Sequence, residues 1–207
     1  KVSRSSHKNT SEWEDFIPAK EGTLIGGLVF LKNWIVRSEV SDALAKIYVR
    51  NIQTNNEEEL KITEEKVISP GVSLKQKDKD TDIIRVSYDS PKTPSRTFEY
   101  NIKTKEKKLV KEQNIPSGHN RDDYVVKRLN CESHDGRRIP MTITYHKKTR
   151  LDGSAHVLLY GYGSYGMSMG PSFSSTRLSL INRNIIWVTC HIRGGMERGM
   201  RWWKEGK

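Results

Sequence analysis

One segment, Val157 to Gly170 (VLLYGYGSYGMSMG), constrains the fold of this chain more than any other. Its apolar run, Val157-Leu158-Leu159-Tyr160, stops abruptly among glycines at 161, 163, 166 and 170. A short apolar run bounded by glycine predicts a strand buried in an α/β sheet. A glycine-rich loop at the carboxyl end of such a strand is where α/β proteins place ligands and chemistry. Tyr162 and Tyr165 interleave those glycines. A phenol there can donate a hydrogen bond to a developing oxyanion, while its ring walls a pocket. The same pattern also suits a tight strand-to-helix turn with packing aromatics.

The residues around this segment continue an α/β pattern. Tyr124 to Leu129 and Ile139 to Tyr145 alternate about a turn at Asp135-Gly136, which predicts a β-hairpin with Ile139, Met141, Ile143 and Tyr145 on one face. Ser174 to Arg183 has helical spacing, Ile185 to Cys190 is a second near-continuous apolar strand, and Glu197 to Lys207 begins a helix. Strand, helix, strand, helix with unalternating apolar strands is the opening of a parallel sheet.

Residues 1 to about 120 read differently, as all-β. Gly27–Leu31, Trp34–Ser38, Ile47–Ile52, Ile83–Tyr88, Thr97–Ile102 and Leu109-Val110 are predicted strands separated by polar turns. Asn51-Ile52-Gln53-Thr54 matches Asn101-Ile102-Lys103-Thr104 at a spacing of 50. A period near 50 with several strands per unit suggests propeller blades, with a β-sandwich of recurring hairpins as the alternative.

Composition excludes several classes. The 36 Lys and Arg against 25 Asp and Glu give a net charge of +11, but the bases are mixed with acids and carry no zinc, RNP-type or helix-turn-helix signature. A solvated surface is expected rather than a nucleic-acid face. Cys131 and Cys190 have no metal spacing, and reduced, half-buried thiols in a cytoplasmic protein are the expectation. The apolar stretch Leu24–Leu31, broken by Gly26 and Gly27, is too short to span a bilayer, and the first ten residues lack a signal-peptide core. No histidine pair has metal-binding spacing, so neither metal nor cofactor is expected. The chain opens on Lys1 and stops inside a helical pattern, so a portion of a longer protein is expected.

Gly166-Met167-Ser168-Met169-Gly170 satisfies G-x-S-x-G, the nucleophile elbow of α/β-hydrolases. That elbow needs its serine at a sharp turn joining strand to helix, followed by an acid and then a histidine. Here the strand ends several residues before Ser168, Pro171 follows it, and residues 169–190 contain no Asp or Glu. Ser168 is therefore not read as a nucleophile.

The segment Tyr160 to Gly166 (YGYGSYG), then Ser172 to Leu180 (SFSSTRLSL), then His191 to Gly195 (HIRGG) with Glu197, Gly199 and Trp203, resembles the prolyl oligopeptidase family of serine peptidases, and within it the oligopeptidase B branch. Upstream pieces stand in the same order: His7-Lys8-Asn9, Glu14 to Ile17, Asp80-Thr81-Asp82, Tyr88, Thr93-Pro94, Tyr100, Pro116 and Asp135-Gly136. The resemblance implies a mixed architecture: the last blades of a seven-bladed β-propeller over residues 1–120, then the truncated start of an α/β-hydrolase catalytic domain over 121–207. It implies cleavage of short peptides after Arg or Lys, with the catalytic serine, aspartate and histidine outside this chain. By the same resemblance Tyr162 is the oxyanion-hole tyrosine, Tyr165 lines the primary specificity pocket, and Arg193-Gly194-Gly195 with Glu197 supports the loop. Gly170 and Ser172 stand where that branch carries acids favouring a second basic residue, so dibasic preference is not expected here. The implied partners are short basic peptides, with no nucleic acid and no membrane, and the oligomeric state is left open. The competing readings are a basic β-rich binding module and an inactive remnant.

Overall fold

Asn51 and Asn101 explain the fifty-residue recurrence. Asn51 Oδ1 accepts hydrogen bonds from the Gln53 and Thr54 N–H groups at 2.9 and 3.0 Å, and Asn101 Oδ1 accepts from Lys103 and Thr104 at 2.9 and 3.1 Å. Asparagine side chains favour such turns by bonding the backbone a few residues on. Asn55 and Lys105 then take the left-handed conformation at φ 59° and 65°, and each returns its N–H to the carbonyl of its asparagine at 2.9 Å.

Each asparagine closes the third strand of a four-stranded antiparallel sheet in a computed structural model that describes residues 9–74 and 79–206. The His7-Lys8 piece of the resemblance lies outside the described residues. The first sheet is β1 (Thr23–Phe30), β2 (Trp34–Ser41), β3 (Leu44–Asn51) and β4 (Glu57–Glu59); the second is β5 (Ser69–Ser73), β6 (Ile83–Asp89), β7 (Arg96–Asn101) and β8 (Lys107–Glu112). Both run as simple meanders, each strand beside the next in sequence. Alternation aims Val36, Ile47 and Val49 of the first sheet and Ile84, Val86, Tyr88 and Tyr100 of the second into one shared core, with Leu60 and Ile62 from the connection. Two meanders of one period packed on one core are adjacent blades rather than a sandwich of hairpins.

Two strands had no apolar signature. β4 is Glu57-Glu58-Glu59, and it pairs because β3 and β2 present cations: Arg50 Nε meets Glu57 Oε2 at 3.0 Å, Lys46 meets Glu59 at 2.8 Å, and Arg37 bonds Glu57 as well. The Arg37 side chain is only 3% exposed, lies 4.5 Å from the Tyr48 ring centre, and reaches Glu39 at 2.8 Å. Burial opposes charge on Arg37, yet its bonds to Glu57 and Glu39 outweigh that and raise its pKa. β5, Ser69-Pro70-Gly71-Val72-Ser73, runs antiparallel to β6 despite its proline and glycine.

The remaining residues form a mixed sheet of order β11–β12–β10–β9. β9 (Tyr124–Glu132) and β10 (Arg138–His146) are the expected hairpin, β12 (Ile186–Cys190) lies antiparallel to β10, and β11 (Val157–Gly161) lies parallel to β12. The connection from β11 to β12 carries helix α1 (Ser175–Ile181), capped by Ser174, whose hydroxyl accepts the Arg177 N–H at 3.3 Å. Leu178 and Ile181 bury against Tyr124, Phe173 and Trp187.

Four details differ from the sequence reading. β11, expected as a buried strand, is largely exposed, with Val157 and Leu159 at 57% and 67%, because it is the end strand of its sheet among the described residues and nothing there covers its faces. On β10 the deeper positions are Pro140, Thr142 and Thr144 alongside Ile139 and Tyr145, while Met141 and Ile143 are half-buried. Thr142 is tolerated inside because it is bonded; its Oγ1 meets both Arg128 and His191. The last helix, α2, spans only Gly199–Lys204, because residues 194–198 are spent in a turn with Gly194 at φ 95°. The two free thiols divide into an exposed Cys131 and a buried Cys190.

Ile84 has no exposed surface, so Ile84→Ala is expected to cost about 2–5 kcal/mol in denaturant unfolding. Leu109→Ala on the exposed β8 should stay within about 0.5 kcal/mol.

Candidate functional site

The loop that follows β11 is held by a second loop that follows β12. Parallel pairing sets Gly161 opposite Cys190, so both strands deliver their next residues to the same end of the sheet. Gly166 N–H donates to the Gly194 carbonyl at 2.8 Å. A Cβ on Gly194 would overlap the Gly163 carbonyl oxygen, and φ of 95° is itself unsuited to a side chain. Close backbone approach is the reason for glycine at this position.

Tyr162 is the first side chain past the strand and is 42% exposed. Tyr165 is 85% exposed and sits at φ 54°, an outlier for a bulky residue. The turn Ser164–Met167, closed by Met167 N–H to Ser164 O at 3.0 Å, holds Tyr165 outward. The Tyr165 ring is therefore presented to solvent rather than packed into a core.

Beneath the loop lie two buried ionisable groups. Glu197 is 1% exposed and its Oε1 accepts the Met169 N–H at 2.8 Å, while Oε2 has no hydrogen-bond partner among the described residues. Burial pushes its carboxyl pKa up, against the bonds from the Met169 and Glu197 N–H groups. Gly195 is required beside it, since a Cβ there would collide with the carboxylate. His191 has no exposed surface, and its Nε2 meets Thr142 Oγ1 at 2.8 Å. Burial, with the nearby Arg128 charge, pushes its pKa down to about 4. Trp202 Nε1 donates to the His191 carbonyl at 3.1 Å and Arg193 bonds Asp135 in the β9–β10 turn, so the HIRGG segment is anchored from two directions.

Ser168 lies exposed between β11 and α1, in a segment without regular structure, and His191 is wholly buried. The G-x-S-x-G match is thus not an elbow in three dimensions. Ser172 borders a cation, since Arg177 Nη1 donates to the Ser172 carbonyl at 3.0 Å, and an acid, Asp89, lies close enough to interact with that cation. Asp89 of the second blade accepts the Phe173 N–H at 3.1 Å and tethers this stretch. A cleft of about 570 Å³ between Arg96, Glu112, His119 and Arg121 lies away from the tyrosines, and its arginines are paired with Glu112 and Asp122. Among the described residues no cluster of His, Cys, Asp and Glu could hold a metal ion.

Sequence reasoning singled out Tyr162, Tyr165, Arg193 and Glu197, and the structure gathers them at one end of the mixed sheet. It missed Asp42, Arg128 and Arg198, which join that end to the first blade. No local pattern marks them, because Asp42 and Arg198 are 156 residues apart.

Residues 1–113 match the prolyl oligopeptidase N-terminal β-propeller domain. The chain belongs to the prolyl oligopeptidase family. Dipeptidyl aminopeptidase BI of Pseudoxanthomonas mexicana is 36% identical over 197 residues, covering 95% of this chain and 27% of the relative. Protease 2 of Moraxella lacunata is 34% identical over 134 residues, 65% of this chain and 19% of the relative. Oligopeptidase B from Trypanosoma brucei, solved in a closed form with covalently bound antipain, superposes with a TM-score of 0.84 at 28% identity, over 92% of this chain and 28% of that one. Oligopeptidase B from Leishmania major gives the same TM-score at 26% identity, over 96% of this chain and 29% of that one. The chain thus spans roughly a quarter of the length of these prolyl oligopeptidase relatives, and the fifty-residue units are blades of the family's propeller.

The buried histidine gives this part of the protein a pH dependence. An ordinary unfolded histidine titrates near 6.5, whereas folded His191 does so at about 4, so the unfolded state binds more protons between these values. The stability that comes from keeping His191 neutral is present above pH 6.5 and is lost as pH falls toward 4. Glu197, raised by burial, acts in the opposite sense. His191→Gln is expected to flatten the loss between pH 6.5 and 4 in thermal melts; an unchanged acid limb would contradict the assignment.

Proposed function

We propose that these residues are the propeller–catalytic junction of a serine oligopeptidase that cleaves short peptides after Arg or Lys. Residues 1–120 would supply the last blades and 121–207 the opening strands of an α/β-hydrolase domain. The observation that carries the reading is the mixed sheet: an antiparallel hairpin, then a parallel pair joined through a helix, with Tyr162 directly after edge strand β11. Among the described residues β11 pairs with β12 alone, and Val157 and Leu159 on it are 57% and 67% exposed. Such an edge and face suit the addition of further strands. The serine, aspartate and histidine would come from sequence outside these 207 residues.

In this reading Tyr162 donates its hydroxyl to the oxyanion of the tetrahedral intermediate, and Tyr165 walls the pocket for the basic side chain. Gly170 and Ser172 carry no charge to attract a second cation, so no preference for dibasic sites arises there. The cytoplasm, which keeps both free thiols reduced, is the proposed compartment. One relative is named a dipeptidyl aminopeptidase, so substrates with free and blocked N-termini should be compared.

The test uses the full-length enzyme on one Arg-terminated fluorogenic peptide. Tyr162→Phe removes one transition-state donor and should lower kcat about 10²–10³-fold with KM nearly unchanged. Tyr165→Ala should raise KM as well, since a pocket wall is lost. Unchanged kcat in Tyr162→Phe would leave Tyr162 a packing residue only.

A further inference from the structure

The β2–β3 hairpin ends in a two-residue turn, Asp42-Ala43, with φ of 52° and 62°. Two left-handed residues match the twist of a hairpin, although neither is the glycine that usually occupies such a turn. The side chain explains Asp42. Its Oδ1 accepts from Arg198 Nε and Nη2 at 2.8 and 2.6 Å, and its Oδ2 accepts from Arg128 Nη2 at 3.3 Å. The Asp42 carbonyl accepts from the same Arg128 nitrogen. Ala43 is 3% exposed and donates its N–H to the Glu197 carbonyl at 2.9 Å. A turn of the first blade is thereby inserted among three groups of the mixed-sheet unit.

Glu197 faces both ways. Its carbonyl takes the blade's N–H, and its carboxylate takes the Met169 N–H at 2.8 Å, in the loop that carries Tyr162 and Tyr165. A buried carboxylate is costly unless hydrogen-bonded, so Glu197 depends on the loop as much as the loop depends on it. A second route runs from Asp42 through Arg128 to Thr142 Oγ1 at 2.9 Å, and from there to His191. Both routes start at one aspartate and end beneath the same loop.

We infer that Asp42 is a positioning residue: docking of its turn sets the place of loop 162–170 through Arg198, Glu197 and Met169. Opening of the blade away from the mixed sheet would withdraw the Glu197 anchor and loosen the loop. The kinetic consequence rests on the oxyanion role proposed for Tyr162; the mechanical coupling does not.

Asp42→Asn is the suitable variant, because asparagine tolerates the left-handed turn while losing the charge that holds both arginines. Hydrogen exchange is measured at the Met169 amide in the full chain, with the amides of the β10–β12 ladder as internal reference. Met169 is expected to exchange about tenfold faster in the variant, the scale for weakening a charge-assisted hydrogen bond, while the ladder amides stay unchanged. Arg198→Gln, which removes the other half of the pair, should give the same selective pattern. An unchanged Met169, or equal acceleration of every amide, overturns the inference. Wild-type protein without peptidase activity would defeat the oxyanion reading instead, and the exchange result would still decide the coupling.

Discussion

The architecture around the candidate site depends on one constraint: a carboxylate, Glu197, is buried where water cannot solvate it. Its Oε1 is satisfied by a backbone N–H from the tyrosine loop, and the turn that carries it must leave room for it with glycine. Gly195 follows from that requirement, while Gly163 and Gly194 follow from the approach of the two loops at backbone distance. The tyrosines then have little freedom. Tyr162 leaves the sheet directly after β11, and Tyr165 is held outward in a left-handed turn closed on Gly194.

Several ion pairs cross the junction between blade and mixed sheet. Asp42 meets Arg128 and Arg198, Glu21 meets Arg201, and Glu65 lies 3.8 Å from Arg121. Four cations, Arg128, Arg198, Arg201 and Arg121, are engaged in these pairs. Such pairs add little stability where exposed, but they fix register between two surfaces.

Alternation and turn chemistry made most strands legible in the sequence. Ile84, Val86 and Tyr88 alternate into the core, and the Asn51 and Asn101 turns repeat bond for bond. The near-continuous runs before Gly161 and Cys190 marked the parallel pair. β4 was illegible because three glutamates become a strand only when Arg37, Arg50 and Lys46 lie opposite. β5 was illegible because its pairing with β6 overrides a proline and a glycine. At the site, glycine spacing exposed the tyrosine loop and the HIRGG segment. The burial of His191 and Glu197, and the Asp42 dock, arise from contacts far apart in sequence and leave no local trace.

Under the proposed function, the loop after β11 places the Tyr162 phenol where an oxyanion forms. The most direct measurement is a crystal structure of the full-length enzyme carrying a covalent argininal adduct, which mimics the tetrahedral intermediate. The account predicts the Tyr162 hydroxyl about 2.7–3.1 Å from the adduct oxygen, with the Tyr165 ring against the arginine side chain. An adduct oxygen held by other donors, with Tyr162 turned away from it, would contradict the claim.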